Sequence, residues 1–231
     1  MATLLAIETS TTVCSAALAV DGKVLLARED HTGASHAALL GVFVAEGVDY
    51  ARAHNLKMDA IAVSAGPGSY TGLRIGVSLA KGLCYGLDIP LIALPTLKIL
   101  ASNCHCACND SACTCNATPL LCPMIDARRM EVYAAIYDEN LQEIRPVQAD
   151  IIDENSYRDY LDKQPVVFFG NGSDKCQKVI SSPNAHFVPN IYPTAQAMIP
   201  LAESAFANKN FADVAYFEPF YLKEFQAIVK K

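Results

Sequence analysis

The stretch AVSAGPGSYTGLRIGVSLAKGLCYGL, Ala62–Leu87, leaves an apolar run through a turn holding Gly66, Pro67, Gly68 and Gly72, then carries Gly76, Gly82 and Gly86 into a helical pattern. Glycines in a strand-to-helix turn permit positive φ and close backbone approach. The amides that open the following helix can hold an anion; a tight turn that binds nothing explains the same residues. No Gly-Lys-Ser/Thr follows, and Gly68 and Tyr70 flank Ser69, so neither a Walker phosphate loop nor a Gly-x-Ser-x-Gly nucleophile elbow is present. Each glycine inside the helix costs about 1 kcal/mol relative to alanine. The pairs Gly72/Gly76 and Gly82/Gly86 lie four apart on shared faces, where a second helix can approach closely.

The candidate second helix is His36–His54, capped by Ser35. It begins HAALLGVFVAEGV and is apolar almost all round for three turns. A helix lying on a sheet needs one apolar stripe, so this one has surplus apolar surface. Two adjacent helices of this kind form half of a four-helix interface completed by another chain, or lie buried between parts of one chain. The interface reading uses His36, Leu39, Leu40, Phe43 and Val44 of one helix with Gly72, Leu73, Gly76, Leu79, Ala80 and Leu83 of the other. It predicts that Gly76→Leu or Gly82→Leu blocks docking and leaves the chain mostly folded. Arg74 is the lone cation of that helix's first half and is expected to hydrogen-bond near the turn.

Outward from these helices the elements fall into a pattern. Leu4–Glu8, Val13–Val20 and Lys23–Arg28 read as three strands, the last two joined by the Asp21-Gly22 hairpin signal. Asp59–Ser64, Thr71–Leu87, Pro90–Leu94 and Pro95–Ser102 continue as strand, helix, strand and helix. The order β-β-β-α-β-α-β-α is that of the ribonuclease-H-like unit, which also builds each half of the actin, Hsp70 and sugar-kinase folds. After a polar, Cys-rich stretch a degraded copy follows, with strands at 120–128, 130–140, 143–150, 166–170 and 186–188 and helices near 154–163, from 173, and at 194–208. The predicted fold is α/β: two such lobes, each a mixed sheet with helices on both faces. The division is an N-terminal lobe over 1–102, an irregular insertion over 103–119 and a degenerate second lobe over 120–231, with the last helix or tail packing back on the first.

The 231 residues are 52% hydrophobic and 18% charged, enough to bury a substantial core. No apolar run is long enough to span a bilayer, since Glu8 and five hydroxyl residues interrupt Leu4–Val20. No basic stretch precedes an apolar one at the start, so a cytoplasmic location is expected. A formal net charge of −6 argues against direct nucleic-acid binding. The nine cysteines read as reduced thiols. Five lie between Cys104 and Cys115; Cys104, Cys106, Cys113 and Cys115 hold a soft metal or belong to an irregular loop.

GPGSYTGLRIG at Gly66–Gly76 resembles the signature of the TsaB family, bacterial partners of the tRNA threonylcarbamoyladenosine synthase TsaD. LLAIETS at Leu4–Ser10, SHAALL at Ser35–Leu40, MIDARRMEVYAA at Met124–Ala135 and PFYLK at Pro219–Lys223 match in the same order. The likeness covers nearly the whole chain; the Asn103–Ala117 stretch fits no family pattern. It implies an actin-like scaffold that is not itself an enzyme. Such proteins pair with TsaD through the two helices above, act with the ATPase TsaE, and form homodimers when alone. They reach tRNA only through the complex and support threonylcarbamoyl transfer from its adenylate to the adenosine beside the anticodon. The His-x-x-x-His metal motif of TsaD-like enzymes is replaced here by LPTLKILASNCHCAC, and no two of the five histidines have metal-binding helical spacing. No metal and no cofactor of its own is therefore expected, with ATP at the interface of the complex.

Glu8, Thr9 and Ser10 stand where actin-like folds place a phosphate loop, and Gly170 and Gly172 where they place an adenosine motif. These five are a candidate nucleotide remnant, or ordinary turns. Asp126, Arg128, Arg129 and Glu131 form a charged turn that is solvated or offers Arg128 or Arg129 to a phosphate or a partner carboxylate; the resemblance implies that it shapes the cleft between lobes. The alternative function is a stand-alone actin-like ATPase or small-molecule kinase. The missing phosphate-loop glycines argue against it, and a metallopeptidase lacks its ligands.

Overall fold

The computed structural model describes residues 2–33, 35–107 and 118–223. Strands β1 (Thr3–Glu8), β2 (Cys14–Val20) and β3 (Lys23–Asp30) form an antiparallel meander. Asp21 and Gly22 both take positive φ between β2 and β3, as the Asp-Gly signal predicts. Helix α1 (His36–Ala53), β4 (Ala60–Gly66), α2 (Tyr70–Leu87), β5 (Leu91–Pro95) and α3 (Thr96–Ala107) follow. The sheet runs β3-β2-β1-β4-β5, with β4 and β5 parallel to β1.

The second half repeats this topology. Strands β6 (Leu120–Asp126), β7 (Glu131–Tyr137), β8 (Glu143–Ile151), β9 (Val166–Phe169) and β10 (Ala185–Val188) form a sheet in the order β10-β9-β6-β7-β8. Read from the meander side, the order matches that of the first sheet strand for strand. Only the four-residue helices α4 (Arg158–Leu161) and α5 (Ser173–Cys176) stand where the first half has α1 and α2. The chain is thus the expected α/β pair of ribonuclease-H-like units.

One helix departs from the sequence reading. Helix α3 does not end at Ser102; its backbone continues to Ala107. Its Ile99 joins the core of the first sheet, while Leu97, Leu100, Ala101 and Cys104 pack on the second. Burial of Cys104 among those apolar side chains gives it a core role. The remainder of the cysteine cluster, Cys106–Cys115, lies outside the residues whose side chains are described.

Helix α6 (Ala195–Ala207) follows the second sheet in the chain but covers the first, setting Ala195, Met198, Ile199, Ala202 and Ala205 against Leu4, Ala6, Ala17 and Ile92. Helices α1 and α2 cover the opposite face through Leu40, Val44, Ala51, Val77, Ala80 and Cys84. The first sheet is therefore sandwiched, with α6 lent by the second half. No described helix is long and apolar enough to cross a membrane.

Candidate functional site: a glycine turn, an inter-sheet cleft and an outward helix face

The glycines of Gly66–Gly76 press the chain against itself. Ser69 donates its amide to the Ser10 carbonyl at 2.6 Å, and Thr9 Oγ1 donates to the Gly72 carbonyl at 2.8 Å. A Cβ at Gly68 would collide with the Ser10 carbonyl, one at Gly72 with the Thr9 carbonyl, and one at Gly76 with the Thr9 hydroxyl. The first two turns of α2 thus lie on the β1–β2 turn with no room for a side chain between them. Gly66, at φ +108°, makes the same approach to the Phe220 carbonyl. Ser69 caps α2 by accepting the Gly72 amide at 3.2 Å.

This corrects the interface reading of Gly72 and Gly76: the surface they receive is Thr9, within the same chain. Leu40, Val44, Leu73 and Ala80 are likewise at most 3% exposed and belong to the core. Placing them in a partner interface overlooked that a helix on a sheet buries its inner stripe first. His36 is also buried.

What faces outward is different. Ala38, Gly41, Val42 and Ala45 of α1 are exposed, and Leu39 and Phe43 are half-buried beside them. No charge occurs between His36 and Ala45, and the first acid, Glu46, is engaged by Arg28 at 2.6 Å. On α2, Leu79 and Leu83 are half-buried, and Gly82 and Gly86 have open space where a Cβ would stand. Tyr85, 86% exposed, ends that face. Arg74 sets its guanidinium over the Tyr70 ring, 4.6 Å from the centroid.

Between the two sheets lies a polar cleft of about 700 Å³. One wall is the hydroxyl turn Ser10-Thr11-Thr12 with Pro67–Thr71. The other is Ile125–Arg129 with Glu131, Tyr133 and Asn171, and Phe220–Lys223 closes the side. The charged turn after β6 thus lines the cleft, as the resemblance implies. Lys175 holds that turn in place, donating to the Asp126 carboxylate and to the carbonyls of Arg129 at 2.8 Å and Glu131 at 2.6 Å. Arg128 and Arg129 line the cleft without an ion pair among the described residues.

Of the candidate nucleotide remnant, Ser10 alone lines this cleft. Glu8 is buried beneath the turn, its Oε1 accepting the Ser10 amide at 2.6 Å. Burial pushes its pKa up, opposed by the Ser10 and Ser64 hydroxyls and the Ser10 and Thr9 amides. Thr9 is committed to Gly72. Gly170 packs on the Met124 carbonyl and Gly172 on Ile125, so these glycines fit α5 to the end of β6. Asn171 between them reaches the cleft and accepts the Asp126 amide at 3.0 Å. Sequence reasoning missed Asn171 and the Phe220–Lys223 wall; PFYLK, noticed only as a match, was the signal for the latter.

The family described as TsaD, tRNA N6-adenosine threonylcarbamoyltransferase, matches residues 30–231. The tRNA threonylcarbamoyladenosine biosynthesis protein TsaB of Bacillus subtilis (strain 168) is 36% identical over 127 residues, which is 52% of this chain and 49% of that protein. Its namesake in Escherichia coli (strain K12) is 35% identical over 143 residues, 59% and 56% of the two chains. The chain spans about half the length of the curated relatives it matches. The solved structure of YeaZ from Pseudomonas aeruginosa superposes with a TM-score of 0.80 at 27% identity, covering 96% of this chain and 100% of that one. The chain belongs to the TsaD, tRNA N6-adenosine threonylcarbamoyltransferase, family, and within it is similar to the TsaB and YeaZ proteins.

Proposed function

We propose that this chain is a non-catalytic subunit of the tRNA threonylcarbamoyladenosine machinery, docking on TsaD through the outward faces of α1 and α2. The observation that carries this reading is the uncharged, small-residue surface of α1 from Ala38 to Ala45, together with the open space at Gly82 of α2. Small residues let a partner's helices approach closely, and an exposed apolar patch of this kind marks an interaction site. The names of its relatives support the pathway. In this reading TsaE joins the assembly, the lone chain pairs with itself through the same face, and tRNA is reached only through the complex. That last point accords with the net charge of −6. The chain works in the cytoplasm, with no cofactor of its own and ATP at the interface of the complex. Support for a non-catalytic role is the sequence LPTLKILASNCHCAC, which stands where TsaD-like enzymes carry His-x-x-x-His.

Co-purification with TsaD, followed by threonylcarbamoyladenosine formation on tRNA, tests the proposal. The parent chain is expected to bind and stimulate TsaD, and Val42→Asp to abolish both while keeping its circular dichroism. ATP turnover by the purified chain alone, without TsaD binding, would overturn the scaffold reading in favour of an actin-like ATPase.

A further inference from the structure

After α6 the described residues form no further helix or strand, yet they are tied down step by step. Ala212 donates its amide to the Leu91 carbonyl at 2.8 Å. Lys81 Nζ donates to the carbonyls of Ala215 at 3.1 Å and Phe217 at 2.9 Å. The Phe220 amide donates to the Ala65 carbonyl at 2.7 Å, and the Phe220 carbonyl packs on the Cα of Gly66. All these anchors belong to the first sheet and its helices. Tyr221 then sets its ring against Tyr70, centroids 4.7 Å apart. Lys223 crosses to the second sheet, where its ammonium donates to Glu131 Oε1 on β7 at 2.5 Å. Within four residues, Phe220–Lys223, the segment closes one side of the cleft and bridges its two walls.

The two ends of this strap are unequal. One is fixed by four hydrogen bonds, from the Ala212 and Phe220 amides and from Lys81 Nζ to two strap carbonyls. The other is an ion pair whose lysine is 49% exposed, the strap's one hydrogen-bonded tie to the second sheet among the described residues. Such a pair contributes little and is screened by salt. The sheets are otherwise joined by α3 and by the segment 189–194 that enters α6. The strap is therefore a third connection, one that can open without either half unfolding. Its Tyr221 also rests on the first residue of α2, whose ring carries Arg74, exposed on that helix.

We propose that Phe217–Lys223 is a clasp, with Lys223–Glu131 as its releasable catch, and that it couples the opening of the cleft to the order of the first turn of α2 through the Tyr221–Tyr70–Arg74 stack. The consequence for docking rests on the α1–α2 reading above; the clasp itself does not. Hydrogen exchange read by mass spectrometry on the full chain tests it. Lys223→Gln and Glu131→Gln should each raise exchange at the Phe220 amide and in 127–133 by about threefold, with β1 and α6 unchanged. The reversed pair, Lys223→Glu with Glu131→Lys, should restore parent behaviour. Tyr221→Leu should raise exchange in Gly72–Leu73 and weaken TsaD binding about fivefold. Unchanged exchange in the single variants, or a reversed pair that fails to restore it, overturns the clasp whatever the chain binds. Raised exchange in Tyr221→Leu with parent affinity for TsaD overturns the coupling. If the parent chain does not bind TsaD, the docking proposal falls and the exchange results alone decide the clasp.

Discussion

Glu8 is the residue whose chemistry and surroundings conflict most. It is fully buried, and burial holds its pKa above the ordinary value of 4.5. A carboxyl with a raised folded-state pKa binds its proton more tightly folded than unfolded, so its contribution to stability is complete at low pH and is lost as pH rises through the folded value. Gln keeps the acceptor for the Ser10 amide and never ionises. Glu8→Gln should therefore match the parent below about pH 4.5 and gain on it as pH rises from there until Glu8 ionises in the folded chain; chemical denaturation at a series of pH values measures this. A stability difference that does not grow with pH would show that Glu8 ionises as readily in the folded chain as in the unfolded one. Glu8 was legible in the sequence as an acid ending a strand. Its burial was not, because that depends on Gly66–Ser69 closing over it from more than fifty residues away.

At the scale of the element, α2 puts two kinds of glycine on one helix. Gly76 touches Thr9 and Gly82 touches nothing. Gly82→Ala should stabilise the chain by about 0.5–1 kcal/mol, the helix-propensity gain. Gly76→Ala should destabilise it by about 2 kcal/mol or more, because the methyl group must displace a turn that holds the β1–β2 connection. Thermal and denaturant unfolding of the two variants gives the comparison, and equal effects would refute the contact. The expectation that Gly76→Leu leaves the chain folded fails on the same contact. The i, i+4 spacing of glycines was readable; it announced close approach at Gly72 and Gly76 but not at Gly82 and Gly86, which face open space. What approaches was not readable, since periodicity places residues on a face without saying whether that face looks at a partner or at the chain's own turn. The element order was legible for the opposite reason: strand and helix periods are local, and the Asp-Gly hairpin and glycine turn punctuate them.

At the scale of the whole molecule, the two halves exchange cover. Helix α6 belongs in sequence to the second sheet and packs on the first, and α3 leaves the first sheet to pack largely on the second. No local pattern records this, because α6 is apolar enough to cover either sheet, and the choice rests on Met198 and Ile199 meeting Leu4 and Ile92. The lobe read as 1–102 is therefore not expected to fold alone. Without α6, Leu4, Ile92, Leu94 and Ile99 lose their cover. At roughly 1.5–3 kcal/mol for each side chain returned to water, the loss is about 6–12 kcal/mol, comparable with the whole net stability of a domain. A fragment of residues 1–107 should show no cooperative unfolding transition and should expose surface that binds an apolar dye. Joining residues 189–223 to it through a flexible linker should restore cooperativity by returning α6 and the strap to the first sheet. A cooperative transition in the short fragment, or none in the extended one, would mean that α6 does not complete the first half as its packing implies.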